Sequence, residues 1–482
     1  MSRLFVKTTF FVLFSLLLSF FIGIHVSRGH SYFTIALFCS LTLICFLIHN
    51  YALSKTIISF SSFFAVVLFV FNFGQIVLLG FFPNSLENKE ITLLYFKQEE
   101  IISSMQIMYY AFFSLLFGLL LFSLRETRTI TRIVDYDLFR KKALLFIAVT
   151  FPIKLIVDFT FFYKAISYGE RIGVEWLGGI PNFIVVFGNL SIIGFCLLII
   201  SFSNRPKKQL FCFLIISAYF LLIMLSGRRS ENVVYVCTLC FVYLKTSSKR
   251  LNIFKTIVLC FVAYFFLAFL YAIVSGRTQI GEQNIGGFLD HYANILTKSN
   301  VFLEALREYG NTGYTCVCVL SLWLKNFPPT YGVSLIQSVF SVLPNITGLV
   351  GRYSDAGNFA VQLQQNNMVT PYYTNIGGNL LGELFFNFGI VGGVIGAFVV
   401  GVLCSLVDSS ISKTIQNKDF LKLMFFVPLF VTIIYWVRDV FGGGVRFTVW
   451  GIVFIFILNK ITFNIEFKRN RNYEINTRDR QS

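Results

Sequence analysis

Residues 209–245 read QLFCFLIISAYFLLIML, then SGRRSEN, then VVYVCTLCFVYLK, so a polar stretch, Ser226-Gly-Arg-Arg-Ser-Glu-Asn232, separates two apolar runs. Runs of this kind are typical of helices that cross a bilayer, for which about 20 apolar residues are needed. Charged groups at bilayer depth are costly unless they are paired or hydrated. Two adjacent arginines between two spans therefore indicate a turn at a membrane surface and mark a candidate functional site there.

The whole chain has the composition of a membrane protein. Hydrophobic residues make up 56% of the 482 residues and charged residues only 13%, which excludes an ordinary soluble domain. Only helices and closed barrels satisfy backbone hydrogen bonds in lipid, and the short alternating segments of a barrel are absent. The sequence therefore predicts an all-α polytopic membrane protein.

Long apolar runs predict about twelve transmembrane helices. The first is a retained helix, because no small-x-small cleavage site follows the run from Thr8 to Ile24. The predicted spans are residues 5–24, 32–50, 57–81, 102–124, 143–163, 182–202, 209–225, 232–246, 253–274, 380–407, 421–437 and 446–465.

Basic residues cluster in loops that would lie on one side of the membrane. These loops are residues 125–142, 205–208 and 245–250, and residues 466–482 add a basic tail. Lys and Arg are enriched in cytoplasmic loops, so we expect that side, with both chain ends, to be cytoplasmic. Contact with anionic lipid then explains the net charge of +17, and nucleic-acid binding is not needed.

The predicted spans divide the chain into four regions. Residues 1–274 form an N-terminal bundle, 275–379 a large external loop, 380–465 the C-terminal helices and 466–482 the tail. Within the loop, residues 288–309 and 335–343 show helical periodicity but are too polar or too short to span. We expect them to form amphipathic helices that lie on the membrane or cap the bundle.

Five arginines fall at helix ends on the external side of this topology. They are Arg228, Arg229, Arg277, Arg438 and Arg446. Each alone is as well explained by contact with lipid phosphates or by pairing with Glu231 or Asp439. Together they favour a shared anionic ligand. Guanidinium suits phosphate because it is permanently charged and forms two parallel hydrogen bonds.

Three further external residues are candidates for proton transfer. A neutral His291 beside Asp290 can act as a general base near neutral pH, although a solvated pair on a helix face explains them equally well. Glu383 precedes a Gly-rich span, where it would cap a helix, pair with an arginine, or act as a base or orienting group. The external face has no carboxylate cluster of the kind that binds a divalent metal, so we expect neither metal nor other cofactor.

The motif Gly377-Gly-Asn-x-x-Gly-Glu-x-x-x-Asn-Phe-Gly389 runs into that Gly-rich span. With the many spans, the large external loop and the Ser-Gly-Arg stretches, it resembles the Wzy-type O-antigen polymerases, the oligosaccharide repeat-unit polymerases of bacterial envelopes. The resemblance implies a GT-C-like helical fold and a substrate of oligosaccharide linked to undecaprenyl pyrophosphate. It also implies transfer of the growing glycan to an incoming lipid-linked repeat unit on the periplasmic face of the inner membrane, and a partner membrane protein that determines chain length.

Under this resemblance, Arg228, Arg229 and Arg277 would neutralise the pyrophosphate leaving group without a metal. Arg438 and Arg446 would be weaker partners. Asp290, His291 and Glu383 would be unranked candidates to position or deprotonate the acceptor hydroxyl.

Three alternatives fit parts of the same pattern. An O-antigen ligase would share the lipid donor and the layout but transfer glycan to the lipid A core. A flippase for lipid-linked oligosaccharide should carry charges deep within several spans. Here Lys154 and Asp158 are the main intramembrane charges, and they lie one helical turn apart, where we expect them to pair. A transporter built on inverted repeats should have two similar halves, which this sequence lacks.

Overall fold

The protein is all-helical over the residues that the structure describes. The computed structural model describes residues 3–28, 31–54, 59–83, 96–122, 136–168, 182–224, 229–247, 268–269, 271–272, 285–298, 300–324, 328–340, 342–343, 377–416 and 420–478. The helices are α1 (Arg3–Arg28), α2 (Tyr32–Ser54), α3 (Phe60–Phe81), α4 (Gln98–Phe122), α5 (Tyr136–Tyr168), α6 (Asn182–Asn189), α7 (Ser191–Ser201), α8 (Pro206–Met224), α9 (Arg229–Thr246), α10 (Ile285–Lys298), α11 (Val301–Gly310), α12 (Gly313–Leu324), α13 (Val333–Phe340), α14 (Leu380–Gln416), α15 (Phe420–Trp436) and α16 (Phe441–Arg478).

Eight stretches of the described helices are long and apolar enough to cross a membrane. They are Tyr32–Leu53, Phe60–Phe81, Gln98–Leu121, Tyr136–Tyr163, Phe183–Ser201, Pro206–Met224, Leu380–Ile415 and Phe441–Lys460, and two shorter apolar stretches are Thr9–Ile24 and Lys422–Trp436. The prediction of a multi-pass helical protein is therefore confirmed, but the count of twelve is not. α9, which covers the predicted span 232–246, is not among the eight, and most of the predicted span 253–274 lies outside the described residues.

The most extensive helix–helix contact among the described residues is the crossing of α4 and α14. A Cβ atom built on Gly401 of α14 would overlap the carbonyl oxygen of Leu115 in α4, and one built on Gly118 would overlap that of Phe398. The two backbones are therefore in direct contact, as at other membrane helix pairs whose interfaces contain small residues. Leu115 is itself fully buried, so this contact lies inside the main core.

Part of the predicted external loop is packed inside the bundle. α10, α11 and α13 correspond to the predicted amphipathic helices, but α12 was not predicted as a separate element. Residues 313–321 of α12 are all buried, and α12 packs against α3, α4 and α14. The region 275–379 is therefore more than a cap, because one of its helices belongs to the core.

A kink divides α14 into a short buried segment and a long one. Gly389 has φ 73° and ψ −173°, a conformation that is strained for residues with a Cβ. Residues 379–387 are all buried, whereas Val391 and Ile395 beyond the kink are 73% and 58% exposed. The kink thus separates a segment packed among other helices from one with an apolar outer face.

Candidate functional site

Three polar residues of the motif lie on one face at the start of α14. Asn379, Glu383 and Asn387 are spaced four residues apart, which places them one above another on a helix. All three are fully buried. Each also accepts a hydrogen bond at the beginning of a different helix, so we call this set the capping stripe.

Asn379 caps α14 itself and ties it to α3. Its side-chain oxygen accepts from the Gly382 N–H at 3.0 Å. Its amide nitrogen donates to Asn72 Oδ1 at 2.8 Å and to the Thr312 carbonyl at 3.1 Å. The start of α14 is therefore fixed to the middle of α3 and to the turn between α11 and α12.

Glu383 caps α16. Its Oε2 accepts from the backbone N–H of Phe441, the first residue of α16, at 2.9 Å and from the Trp436 indole N–H at 2.8 Å. Its Oε1 accepts from the Ser334 hydroxyl at 3.3 Å. The carboxylate lies in the first turn of α14 and at the N-terminus of α16, and the partial positive charge of both helix ends favours an anion there.

Asn387 caps α13. Its Oδ1 accepts from the Ser334 N–H at 3.2 Å and from the Thr330 hydroxyl at 3.0 Å. Its amide nitrogen donates to the Ser334 hydroxyl and to the Glu383 carbonyl, both at 2.7 Å. Ser334 therefore bridges Asn387 and Glu383, and the three N-termini of α13, α14 and α16 converge on one stripe.

The turn between α15 and α16, residues 437–440, carries Arg438. Gly378 lies directly against the backbone of Asp439 and Val440, because a Cβ atom added to Gly378 would overlap the backbone atoms of both residues. The guanidinium carbon of Arg438 lies 5.8 Å from the centroid of the Phe71 ring, a cation–π distance. Phe71 also packs on Tyr309 of α11, with ring centroids 5.6 Å apart. The half-buried Arg438 thus lies at the junction of α3, α11 and this turn.

Asp439 and Glu231 connect the Arg438 turn to the start of α9. Burial raises the pKa of the Asp439 carboxyl above its ordinary value, and hydrogen bonds from the Tyr435 hydroxyl and the Val440 N–H oppose the rise. Glu231 is close enough to raise that pKa further by charge repulsion. Glu231 accepts hydrogen bonds from Asn189 and, at 2.9 Å, from the Tyr235 hydroxyl. The first turn of α9 and the Arg438 turn are therefore neighbours.

A buried ion pair lies next to this network. Lys154 Nζ is 3.0 Å from Asp158 Oδ1, and the two side chains are 0% and 1% exposed. The Tyr219 hydroxyl donates to the other Asp158 oxygen at 2.6 Å, and Lys154 Nζ lies 5.6 Å from the centroid of the Tyr235 ring. The prediction that these two charges pair locally is confirmed.

The structure places some of the predicted site residues together and not others. Arg438 lies in the turn between Trp436 and Phe441, and Glu383 binds both of those residues. Arg446 is half-buried in the second turn of α16. Arg229 begins α9, but its side chain is not among those described, and Arg228 and Arg277 lie outside the described residues.

Asp290 and His291 are on α10, in a different part of the fold. Asp290 is exposed and His291 is half-buried. The apolar face of α10, at Ile295, packs in a small cluster with Ala268, Ala272 and Val301 that is separate from the main core. Among the described residues, no group of three or more His, Cys, Asp or Glu side chains is placed to hold a metal ion.

Several residues of the site were not singled out from the sequence. Asn379 and Asn387 were quoted in the motif but given no role, although their spacing of four around Glu383 indicates one polar face in an apolar helix. The partners Ser334, Trp436 and Phe441 carry no such signal, because they are 49, 53 and 58 residues from Glu383 in sequence.

Comparison with known proteins places the chain in a family. No curated protein and no solved structure matches this sequence, so the GT-C-like fold stays a prediction. The family model for the O-antigen polysaccharide polymerase Wzy matches residues 8–470, which is nearly the whole chain. The resemblance noted in the sequence is thereby confirmed, and this multi-pass membrane protein belongs to the O-antigen polysaccharide polymerase Wzy family.

Proposed function

We propose that this protein extends O-antigen or a similar surface polysaccharide by joining lipid-linked repeat units. It transfers the growing glycan from undecaprenyl pyrophosphate to an incoming repeat unit that is itself linked to undecaprenyl pyrophosphate. The reaction takes place on the periplasmic face of the inner membrane, with both chain ends in the cytoplasm. Membership of the polymerase family and the multi-pass architecture support this proposal.

The reaction breaks one bond and forms another. The bond between the anomeric carbon of the growing glycan and a phosphate oxygen of its carrier breaks, and undecaprenyl pyrophosphate leaves with the bonding electrons. A hydroxyl oxygen of the acceptor repeat unit forms the new glycosidic bond, and its proton passes to a base. Negative charge grows on the leaving pyrophosphate, so fixed cations nearby lower the barrier.

The arginines at the external helix ends supply those cations. One observation carries this assignment: Glu231 in the first turn of α9 lies close enough to raise the pKa of Asp439, so the start of α9, at Arg229, is near the Arg438 turn. Arg446 lies in α16, between one and two helical turns after its first residue, Phe441. We assign Arg438 to the pyrophosphate together with Arg446, Arg228, Arg229 and Arg277.

The proton acceptor is assigned to Asp290 or His291. Both side chains are at least partly exposed on α10, so a sugar hydroxyl can reach them, as a general base requires. The described connection from α10 to the Arg438 turn runs through α11, whose Tyr309 packs on Phe71, the ring that the Arg438 guanidinium contacts. Glu383 is fully enclosed, so it does not offer a sugar hydroxyl the same access.

The test replaces Arg438 in cells that lack the chromosomal gene. Arg438→Lys keeps the charge but loses the two parallel hydrogen bonds, and Arg438→Ala loses both. We expect shortened polymer ladders from Arg438→Lys and, in initial-rate assays, about a 100-fold loss from Arg438→Ala. The matched control is Arg140→Lys, because Arg140 pairs with Asp137 at the start of α5, in the predicted cytoplasmic loop region. Wild-type ladders from both Arg438 variants at normal expression would remove Arg438 from the mechanism.

The same deletion strain separates polymerase from ligase. A polymerase deletion leaves a single repeat unit on the lipid A core. A ligase deletion leaves a bare core together with intact lipid-linked polymer. The second product would refute the proposed function.

A further inference from the structure

We propose that Glu383 is a positioning residue that holds the Arg438 turn in place, and that it is not the proton acceptor. This inference rests on the function proposed above, because it concerns how Arg438 is presented to the pyrophosphate. The motif residue thereby acquires a role that differs from the base role considered for it in the sequence.

Glu383 fixes both ends of the turn that carries Arg438. The turn, residues 437–440, begins after Trp436 and ends before Phe441. Oε2 of Glu383 accepts from the Trp436 indole at 2.8 Å and from the Phe441 N–H at 2.9 Å. One oxygen atom on α14 therefore locates the last residue of α15 and the first residue of α16.

One further contact holds the same turn against the start of α14, because the backbone of Asp439 and Val440 lies directly on Gly378. The turn is also tied to the end of α15, since the N–H groups of Arg438 and Asp439 donate to the Tyr435 carbonyl at 3.0 and 2.9 Å. The backbone that carries the Arg438 side chain is thus determined by the position of α14, and Glu383 provides the polar part of that connection.

The surroundings of Glu383 do not suit a base. A general base must come within about 2.6–3.2 Å of the hydroxyl that it deprotonates. The Glu383 side chain is fully buried and is occupied by three hydrogen-bond donors from α13, α15 and α16. A sugar hydroxyl would have to displace those donors, and the Arg438 turn would then lose its attachment.

Glutamine separates the two roles. The amide oxygen of Glu383→Gln can accept from both Trp436 and Phe441, and its NH₂ group can donate to the Ser334 hydroxyl. The geometry of the turn is retained, but the side chain cannot take up a proton. Glu383→Ala removes all three hydrogen bonds and frees the turn.

The experiment measures initial rates of the full-length protein in proteoliposomes. The substrate is the lipid-linked repeat unit extracted from cells that lack the polymerase gene. We expect Glu383→Gln to retain kcat within about 3-fold of wild type with an unchanged pH profile, because it keeps the turn. We expect Glu383→Ala to lose about 100-fold in kcat/KM, since a misplacement of about 1 Å can cost that much.

A double variant tests whether Glu383 acts through Arg438. If it does, Glu383→Ala combined with Arg438→Ala will be no slower than Arg438→Ala alone, because the group that Glu383 positions is already gone. If Glu383 contributes independently, the two losses will multiply, and the inference is overturned. It is also overturned if Glu383→Gln is as inactive as Glu383→Ala and the acid limb of the pH profile changes.

Trp436→Phe provides a second route if Glu383→Ala does not fold. In the wild-type protein the Trp436 and Phe441 ring centroids are 4.5 Å apart. Trp436→Phe keeps an aromatic ring packed on Phe441 but removes the indole N–H. We expect about a 10-fold loss of kcat/KM that disappears in the Arg438→Ala background, and additive losses would refute the inference. Failure of the wild-type protein to form polymer from the extracted substrate would instead refute the proposed function, and it would be seen before any variant is assayed.

Discussion

Among the residues that the structure describes, the fully buried charged side chains each have specific partners within the fold. Glu383 accepts three hydrogen bonds, and Asp158 is bound by Lys154 and Tyr219. Removing an ion from water is costly, and a buried pair is tolerated only when geometry and extra hydrogen bonds compensate. The Lys154–Asp158 pair lies next to Tyr235, which binds Glu231 in the first turn of α9. The pair is thus connected through Tyr235 to the first turn of α9.

Breaking this pair on one side should strongly destabilise the protein. Asp158→Ala leaves Lys154 buried without its carboxylate, and we expect a loss of about 3–5 kcal/mol in the free energy of unfolding. Replacing both residues by apolar ones, Lys154→Met with Asp158→Leu, should restore most of that loss. Thermal unfolding in detergent would measure both effects. A double variant as unstable as Asp158→Ala would contradict this explanation.

At the scale of single residues, prediction succeeded for a charged side chain whose partner lies on the same helix. The spacing of Lys154 and Asp158 was enough to predict their pairing, because both lie on one helix. The role of Glu383 could not be predicted, because its three donors come from helices that are distant in sequence and meet it only after packing. Sequence alone could name Glu383 and Arg438 as candidate site residues. It could not show that Glu383 binds the two residues that flank the turn with Arg438.

Helices are joined in this fold by direct backbone contact and by shared caps. The crossing of α4 and α14 depends on Gly118 and Gly401, and the capping stripe connects α14 to α13 and α16. Apolar runs predicted most helices to within a few residues, since a long apolar run in lipid must be helical. α12 was missed because its 12 residues are too short to span and its burial depends on three distant helices.

A methyl group at the α4–α14 crossing should separate the two helices. Gly401→Ala places a Cβ on the Leu115 carbonyl, and backbone cannot move as a flexible side chain can. We expect a loss of about 1–3 kcal/mol, as for other overpacked sites, and a lower Tm in detergent. The matched control is Gly23→Ala on α1, where a Cβ would have no atom within 4 Å. Equal melting temperatures for the two variants would show that the crossing is looser than described.

The order of contacts along α3 and α14 indicates that these two helices run antiparallel. Asp408, near the end of α14, accepts from the Phe60 and Ser61 N–H groups at 3.1 and 3.3 Å, at the start of α3. Asn379, at the start of α14, contacts Asn72 further along α3. Alternating crossings require this arrangement, and the Asp408 end of α14 is therefore opposite the end that carries the capping stripe.

Reporters inserted into the full-length chain should reveal the same sidedness. We expect insertions after Ile130 and Lys418 to report the cytoplasm, and insertions after Asn300 and Val440 to report the periplasm, as the distribution of Lys and Arg predicts. Paired reporters, one active only outside and one only inside, serve as mutual controls. A cytoplasmic signal at Asn300 or Val440 would place the arginines on the wrong side for a substrate displayed in the periplasm.

The kink at Gly389 has a consequence for how the protein tolerates its lipid environment. Membranes differ in hydrophobic thickness, and the mismatch is met either by tilting of the helix or by local thinning or thickening of the bilayer. The bend gives residues 390–416 a direction of their own, and the contacts of Gly401 with α4 and of Asp408 with α3 hold them in it. The lipid around the helix would then adjust to a change in acyl-chain length without moving Arg438, and polymer output should be similar in thin and thick bilayers.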